Sequence, residues 1–195
     1  MRPLVLASAS PRRVDLLRHA GFQFEIVLPQ VEEAHDASLT PEQLTLENAR
    51  RKALDVSRLR PDALVIGADT LVYVDGLPLG KPADMDEALR MVRRLSGRTH
   101  EVCTGVAFAS GGAIAQELHV ITHVTFKPLT NDLIRAYHAL VNPLDKAGAY
   151  GIQEQTDMLL ERMVGSFTNV IGLPVDEVST ALLKLLSRPP GTQAG

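Results

Sequence analysis

Two arginines stand in the first turn of a helix in the stretch LASASPRR, Leu6 to Arg13. Val5 and Leu6 read as the end of an apolar strand, and VDLLRHAG reads as a helix closed by Gly21. Ser10 occupies the N-cap position and Pro11 the first helical position. Positive charge at that end opposes the helix dipole by about 0.3–1 kcal/mol per exposed group. An anion between Arg12 and Arg13 would reverse the sign. Backbone N–H groups, the Ser8 and Ser10 hydroxyls and two guanidiniums form a donor set suited to phosphate. Because the dipole cost is small, a solvated basic turn is an equal competitor.

Acidic residues lie elsewhere. Glu32 and Glu33 fall in the loop VEEAHDASLT, and Asp69 ends the apolar run ALVIGAD, where an α/β sheet presents its ligands. Carboxylates there suit a hard divalent cation, Mg²⁺ before Mn²⁺, that takes oxygen ligands and bridges to phosphates. For the glutamates an exposed loop is the competing reading. Asp69 is harder to dismiss, since a carboxylate after five apolar residues must be paired, hydrated or functional. Lys52 and Lys81 can reach a phosphate as point charges, although a lone lysine is more often solvated. GLPLGKP around Lys81 is not a phosphate-binding P-loop: the glycine spacing is wrong and Pro82 lacks an amide proton.

DKAGAYGIQ, Asp145 to Gln153, fits neither strand nor helix periodicity. Glycines flanking Tyr150 permit close backbone approach, and the Gln153 amide can read a nucleobase edge, with a glycine-rich turn as the alternative. His119 and His123 share a strand face but lack the third ligand that zinc requires. No G-x-S-x-G nucleophile elbow occurs.

The elements that must position these groups follow from pattern. After FEIVLP, a strand, Thr40-Pro41 opens a helix to about Arg60. ALVIGADTLVYV is a buried strand broken at Gly67 and followed by an Asp75-Gly76 hairpin turn. Residues 84–96 form a helix, two long strands meet at Ser110-Gly111-Gly112, and residues 129–141 form another helix. Short strands around Leu159 and Val170 and an amphipathic helix from Val175 complete the reading. The pattern predicts an α/β protein with a mixed, elongated twisted sheet flanked by helices on both sides, one domain over residues 1–187 and a disordered tail at 188–195.

A net charge of −3 with three tyrosines, five phenylalanines and no tryptophan leaves neither a basic footprint nor a stacking platform for nucleic acid. No segment reads as a signal peptide or membrane span, and the single Cys103 points to a reducing cytoplasm. The expected partner is a small molecule. Oligomeric state stays open, a homodimer included.

Together the stretches resemble one family, the Maf (septum formation inhibitor-like) nucleotide pyrophosphatases. LASASPRR at 6–13, VEE at 31–33, Lys52 in ARRKA, GADT at 67–70, LGKP at 79–82, LSGRTHEVCTG at 95–105, DKAGAYGIQ at 145–153 and GSFTNVIGLP at 165–174 occur in family order. The resemblance implies an inosine-triphosphatase-like architecture and metal-dependent cleavage of a nucleoside triphosphate between the α and β phosphates. It implies catalytic roles for Asp69, Glu33, Lys81 and Lys52, metal binding by Glu33 and Asp69, and substrate contacts from Ser8, Ser10, Arg12, Arg13, Thr70, Tyr150 and Gln153. Thr70 and the DKAGAYGIQ loop resemble the branch acting on dTTP and UTP, whereas a sister branch acts on a methylated guanosine triphosphate. Two positions depart from the family pattern: Glu32 where aspartate is common, and Glu154 where glycine follows Gln153. A nucleotide-binding regulator of cell division, with incidental hydrolysis, is the rival reading. A haloacid-dehalogenase-type phosphatase fails because Leu71 stands where its second aspartate would be.

Overall fold

The computed structural model describes residues 2–36 and 38–187, so the expected disordered tail lies outside the described residues. Chain order runs β1 (Leu4–Ala7), α1 (Pro11–His19), β2 (Glu25–Ile26), α2 (Pro41–Leu59), β3 (Leu64–Val74), β4 (Leu77–Leu79), α3 (Met85–Leu95), β5 (Thr99–Ser110) and β6 (Ala113–Phe126). It continues with α4 (Asn131–Leu140), α5 (Thr156–Leu159), β7 (Leu160–Val164), α6 (Phe167–Ile171) and α7 (Val175–Leu186). The seven-stranded sheet has the order β2-β1-β3-β5-β6-β7, with β4 paired to β3. Pairing is parallel among β2, β1 and β3 and antiparallel from β3 onward. This is the expected mixed sheet. Among the described residues no helix is long and apolar enough to cross a membrane.

Strand alternation divides the core. Leu64, Ile66 and Ala68 of β3 pack with Leu17 of α1 and with Val178 and Leu182 of α7. Further along the same face, Val72 and Val74 join Val92 of α3 and Ile134 of α4. The opposite face carries Val65 against Val56 of α2, and Ala107 and Ala109 of β5 against Ala49 and Ala53. Helices therefore cover both sides.

Two glycines decide how closely α2 lies on the sheet. A Cβ on Gly67 would sit 2.7 Å from the Ala53 nitrogen, and one on Gly105 only 2.5 Å from the Thr45 carbonyl carbon. The expected break at Gly67 is thus incorrect: β3 runs through it without interruption, and the residue is small because a helix rests on it. The expected strand at Val170 is also incorrect. Ser166 accepts a hydrogen bond from the Asn169 amide and caps the five-residue α6, which Gly172 ends at φ 134°. So short a helix offers no periodicity, and its β-branched residues imitate a strand. Thr40 and Gln43 form the reciprocal capping box that starts α2, consistent with the Thr-Pro signal.

One edge of β3 is interrupted. β1 pairs with it through Gly67, and β4 pairs with it again from Val72. Between them Ala68–Leu71 lack a strand partner on that edge, and Asp69 and Thr70 point to opposite faces there.

Candidate active site

A cavity of about 560 Å³ opens at this gap. Ser10, Arg12, Arg13, Glu33, Lys52, Asp69, Thr70, Lys81, Tyr150 and Gln153 all line it. Six stretches distant in sequence thus meet at one place. Its lining also holds Lys146 and Asp145, giving five Arg or Lys side chains against three carboxylates in a protein of net charge −3. The surplus favours an anion.

The centre is built on rigid elements. Lys52, buried on α2, places its Nζ 2.8 Å from Asp69 Oδ1 and 2.6 Å from Glu33 Oε1. Asp69 itself is buried, and its second oxygen accepts from Asn48 Nδ2 at 3.1 Å. Asn48 also clips the acidic loop to α2: its Oδ1 accepts from the Ala34 amide at 2.7 Å and its Nδ2 donates to the Ala34 carbonyl at 3.3 Å. These partners fix the orientation of the amide. Burial pushes the Glu33 carboxyl up, but the hydrogen bond and charge of Lys52, with the fields of Lys81 and Arg13, leave it below the ordinary glutamate range.

Asn48 was not among the residues singled out by sequence. The available signal was its spacing: Leu44, Asn48, Lys52 and Val56 recur every fourth residue on the buried stripe of α2, and two of them are polar.

The helix-end arginines have intramolecular partners, contrary to the picture of two unmatched cations. Arg12 Nη1 donates to Asp145 Oδ2 at 2.7 Å and its Nη2 to the Asp145 carbonyl at 3.2 Å. Arg13 Nε donates to the Gly172 carbonyl at 2.8 Å and its Nη2 to Thr70 Oγ1 at 3.0 Å. Burial lowers the Arg13 pKa while Asp69 and Glu33 raise it; the guanidinium stays charged. Ser10 holds the N-cap position, but its hydroxyl makes no capping bond. Ser8 is buried and does not line the cavity; its Oγ accepts from the Ser10 amide at 3.1 Å and braces the turn.

At the far end, Tyr150 contributes no free hydroxyl. Its OH pairs with His100 Nε2 at 2.8 Å in an edge-to-face cluster with Phe126. Gln153 is exposed on the rim, and Lys81 lies exposed after β4. Glu32 is exposed and outside the lining. His123 Nε2 lies 3.5 Å from Glu101 on the neighbouring strand, remote from this cavity in its lining residues.

Among the described residues no group of three or more His, Cys, Asp or Glu side chains is placed to hold a metal. Glu33 and Asp69 nonetheless share one cation, the Lys52 ammonium, so two hard oxygen donors converge on a positive charge. Two carboxylates completed by water and phosphate oxygens match how Mg²⁺ is usually held.

A cleft in the open edge of a mixed α/β sheet, with surplus cations around its carboxylates, suits a phosphate-bearing ligand. The chain belongs to the Maf-like protein family, which matches residues 3–185. It is 50% identical over 180 residues to a dTTP/UTP pyrophosphatase of Akkermansia muciniphila, covering 92% of this chain and 95% of that one. A dTTP/UTP pyrophosphatase of Symbiobacterium thermophilum is 48% identical over 177 residues, 90% of each chain. Among solved structures, a HAM1 protein from Coxiella burnetii superposes with a TM-score of 0.57 at 15% identity, over 94% of this chain and 100% of that one. That likeness concerns the fold alone.

Proposed function

We propose that this chain hydrolyses dTTP and UTP at the α–β phosphoanhydride, releasing the nucleoside monophosphate and pyrophosphate. The observation that carries the reading is the buried Asp69 carboxylate, held by Lys52 and Asn48 inside a cavity whose other charged groups are mostly cations. The names of the similar enzymes support the substrate.

Arg12, Arg13 and Lys81 bind the triphosphate and cancel charge that would repel an attacking water. Arg12 exchanges Asp145 for phosphate as it does so. Glu33 and Asp69 would hold a divalent cation, Mg²⁺ in this proposal, which when bound neutralises phosphate charge. Lys52 orients both carboxylates. Asp69 accepts the proton of the water, since each carboxylate oxygen retains a lone pair beyond its present hydrogen bond. Ser10 at the start of the arginine-bearing helix and Thr70 on β3 supply hydroxyls, and the Tyr150 ring walls the pocket. Gln153 reads the base: its amide donates to a pyrimidine carbonyl and accepts from the N3–H of uracil or thymine, a pattern cytosine reverses.

Incubation with Mg²⁺ and each nucleoside triphosphate, followed by identification of the released species, tests this. Pyrophosphate with UMP or dTMP is expected. Release of orthophosphate alone, or preference for a purine, would overturn it.

A further inference from the structure

Gln153 sits at the tip of a tight turn in which the Glu154 amide donates to the Gly151 carbonyl at 3.1 Å. The entry end of that turn is pinned twice by a buried tyrosine: Tyr137 OH accepts from the Gly151 amide at 2.9 Å and donates to its carbonyl at 3.2 Å. At the exit end there is no tyrosine. Instead Glu154 Oε1 lies 3.3 Å from the Nζ of Lys146, a buried lysine that donates to the Asn142 carbonyl at 2.8 Å and to Asp145 Oδ1 at 2.9 Å. Two hydrogen bonds fix the ammonium, and Glu154 stands within ion-pair distance of it. Gly151 makes the pairing sterically available, because a Cβ there would sit 2.8 Å from Lys146 Cε and 3.0 Å from Glu154 Oε1.

Asp145 carries the linkage further. One of its oxygens receives Lys146 and the other receives Arg12. Burial pushes its carboxyl up, yet these two cations hold it below the ordinary aspartate range. Without nucleotide, a chain of charges, Arg12–Asp145–Lys146–Glu154, runs from the phosphate side of the cavity to the residue that follows Gln153, and its Asp145–Lys146–Glu154 part does not depend on Arg12.

We propose that Glu154 and Lys146 are positioning residues for base selection, the Glu154–Lys146 ion pair holding the exit end of the turn so that the Gln153 amide meets the pyrimidine edge in a fixed orientation. This rests on the reading of Gln153 as the base-contacting residue. Glu154 need not touch the nucleotide. Its loss frees one end of a short turn whose other end stays anchored on Tyr137, so discrimination should fall while phosphate binding persists.

The experiment compares wild type with Glu154→Ala and Glu154→Gln, measuring kcat/KM for UTP and CTP and the inhibition constant of inorganic tripolyphosphate, a probe with no base. Lys146 keeps two partners in either variant, and thermal unfolding confirms that both are folded. Glu154→Ala should lower the UTP-to-CTP ratio about two- to fivefold, the range expected of one partly exposed ion pair. The tripolyphosphate constant should stay within about twofold. Glu154→Gln retains a carbonyl acceptor for Lys146 and should recover most of the ratio. An unchanged ratio in Glu154→Ala, or equal weakening of UTP, CTP and tripolyphosphate, would overturn the inference while leaving the Gln153 reading intact. A wild-type ratio near one would overturn the Gln153 reading and this inference with it.

Discussion

Asp69 and Gln153 line the same cavity on very different supports. Asp69 is buried in an eleven-residue strand, with both oxygens engaged by side chains of a nineteen-residue helix pressed onto Gly67 and Gly105. Gln153 is exposed in a segment that includes positive φ at Gly148, Ala149 and Gln155 and is tied down by a few polar contacts. One end of the cavity is positioned by the sheet and the other by loop anchors. Geometry that must be fixed for chemistry belongs on rigid elements, while recognition can be carried by a loop and altered without disturbing the core.

Breaking the rigid end should have the largest effect. Asp69→Asn is expected to lower turnover about 10²–10⁴-fold, the usual loss when a general base is removed. It should also destabilise the fold. Lys52 and Asn48 each donate to a different Asp69 oxygen, so an amide must turn its NH₂ toward one donor, at a cost of about 1–3 kcal/mol. Turnover at saturating Mg²⁺ and a denaturant midpoint measure the two effects. Retention of more than half of wild-type turnover would remove Asp69 from the role of base.

The loop end has its own buried anchor, and acid should reveal it. Burial depresses the His100 pKa from 6.5 to about 3, so its ring is neutral where it meets Tyr150. Below pH 6.5 the unfolded chain takes up a proton that the folded protein refuses, so stability falls as pH drops toward 3 and is unaffected above 6.5. At pH 5 the loss is about 2 kcal/mol relative to pH 7. Urea midpoints at the two pH values, for wild type and His100→Gln, isolate it. Equal pH dependence in both proteins would assign the acid sensitivity elsewhere.

Gln153→Ala touches only the loop end. Once the bound base covers the Gln153 amide, leaving it partly unsatisfied by CTP costs about 1–3 kcal/mol, so wild type should favour UTP over CTP by roughly ten- to a hundredfold. The variant should lose most of that ratio and still release pyrophosphate. If the ratio survives, the base is read by another group.

This division also explains what could be read in advance. Some positions lie in stretches whose local pattern is informative, as with Thr40-Pro41 opening α2 or Asp69 ending an apolar run. Tertiary partners were not legible. Gly67 looked like a strand break because nothing local shows that Ala49 and Ala53 will lie against it. The helix at Val170 is illegible in the sequence because five residues set by Ser166 make too few turns to show a period. Asn48 was passed over although its place on the buried α2 stripe was visible, since a polar residue there gains meaning only when Asp69 is seen opposite. Asp145 and Lys146 were overshadowed by the glycines and glutamine of the same motif, because an adjacent acid and base ordinarily mark a solvated turn.

The arginine pair makes the finest comparison, since neighbouring residues serve the two ends differently. If both were merely unfavourable cations at a helix start, removing either would leave the ligand-free protein no less stable. The hydrogen bonds indicate otherwise for one of them. Arg13 satisfies the Gly172 carbonyl and Thr70 Oγ1, joining α1 to the end of α6 and to β3, and Arg13→Ala should cost about 1–2 kcal/mol of ligand-free stability. Arg12 pairs with Asp145, which keeps Lys146 as a second partner, so Arg12→Ala should change stability by no more than about 0.5 kcal/mol. Both variants should bind tripolyphosphate more weakly, because each removes a guanidinium from the cavity lining. Thermal unfolding with and without tripolyphosphate separates the two contributions. A larger ligand-free loss in Arg12→Ala than in Arg13→Ala would mean that the loop end, not the sheet, depends on this turn for its stability.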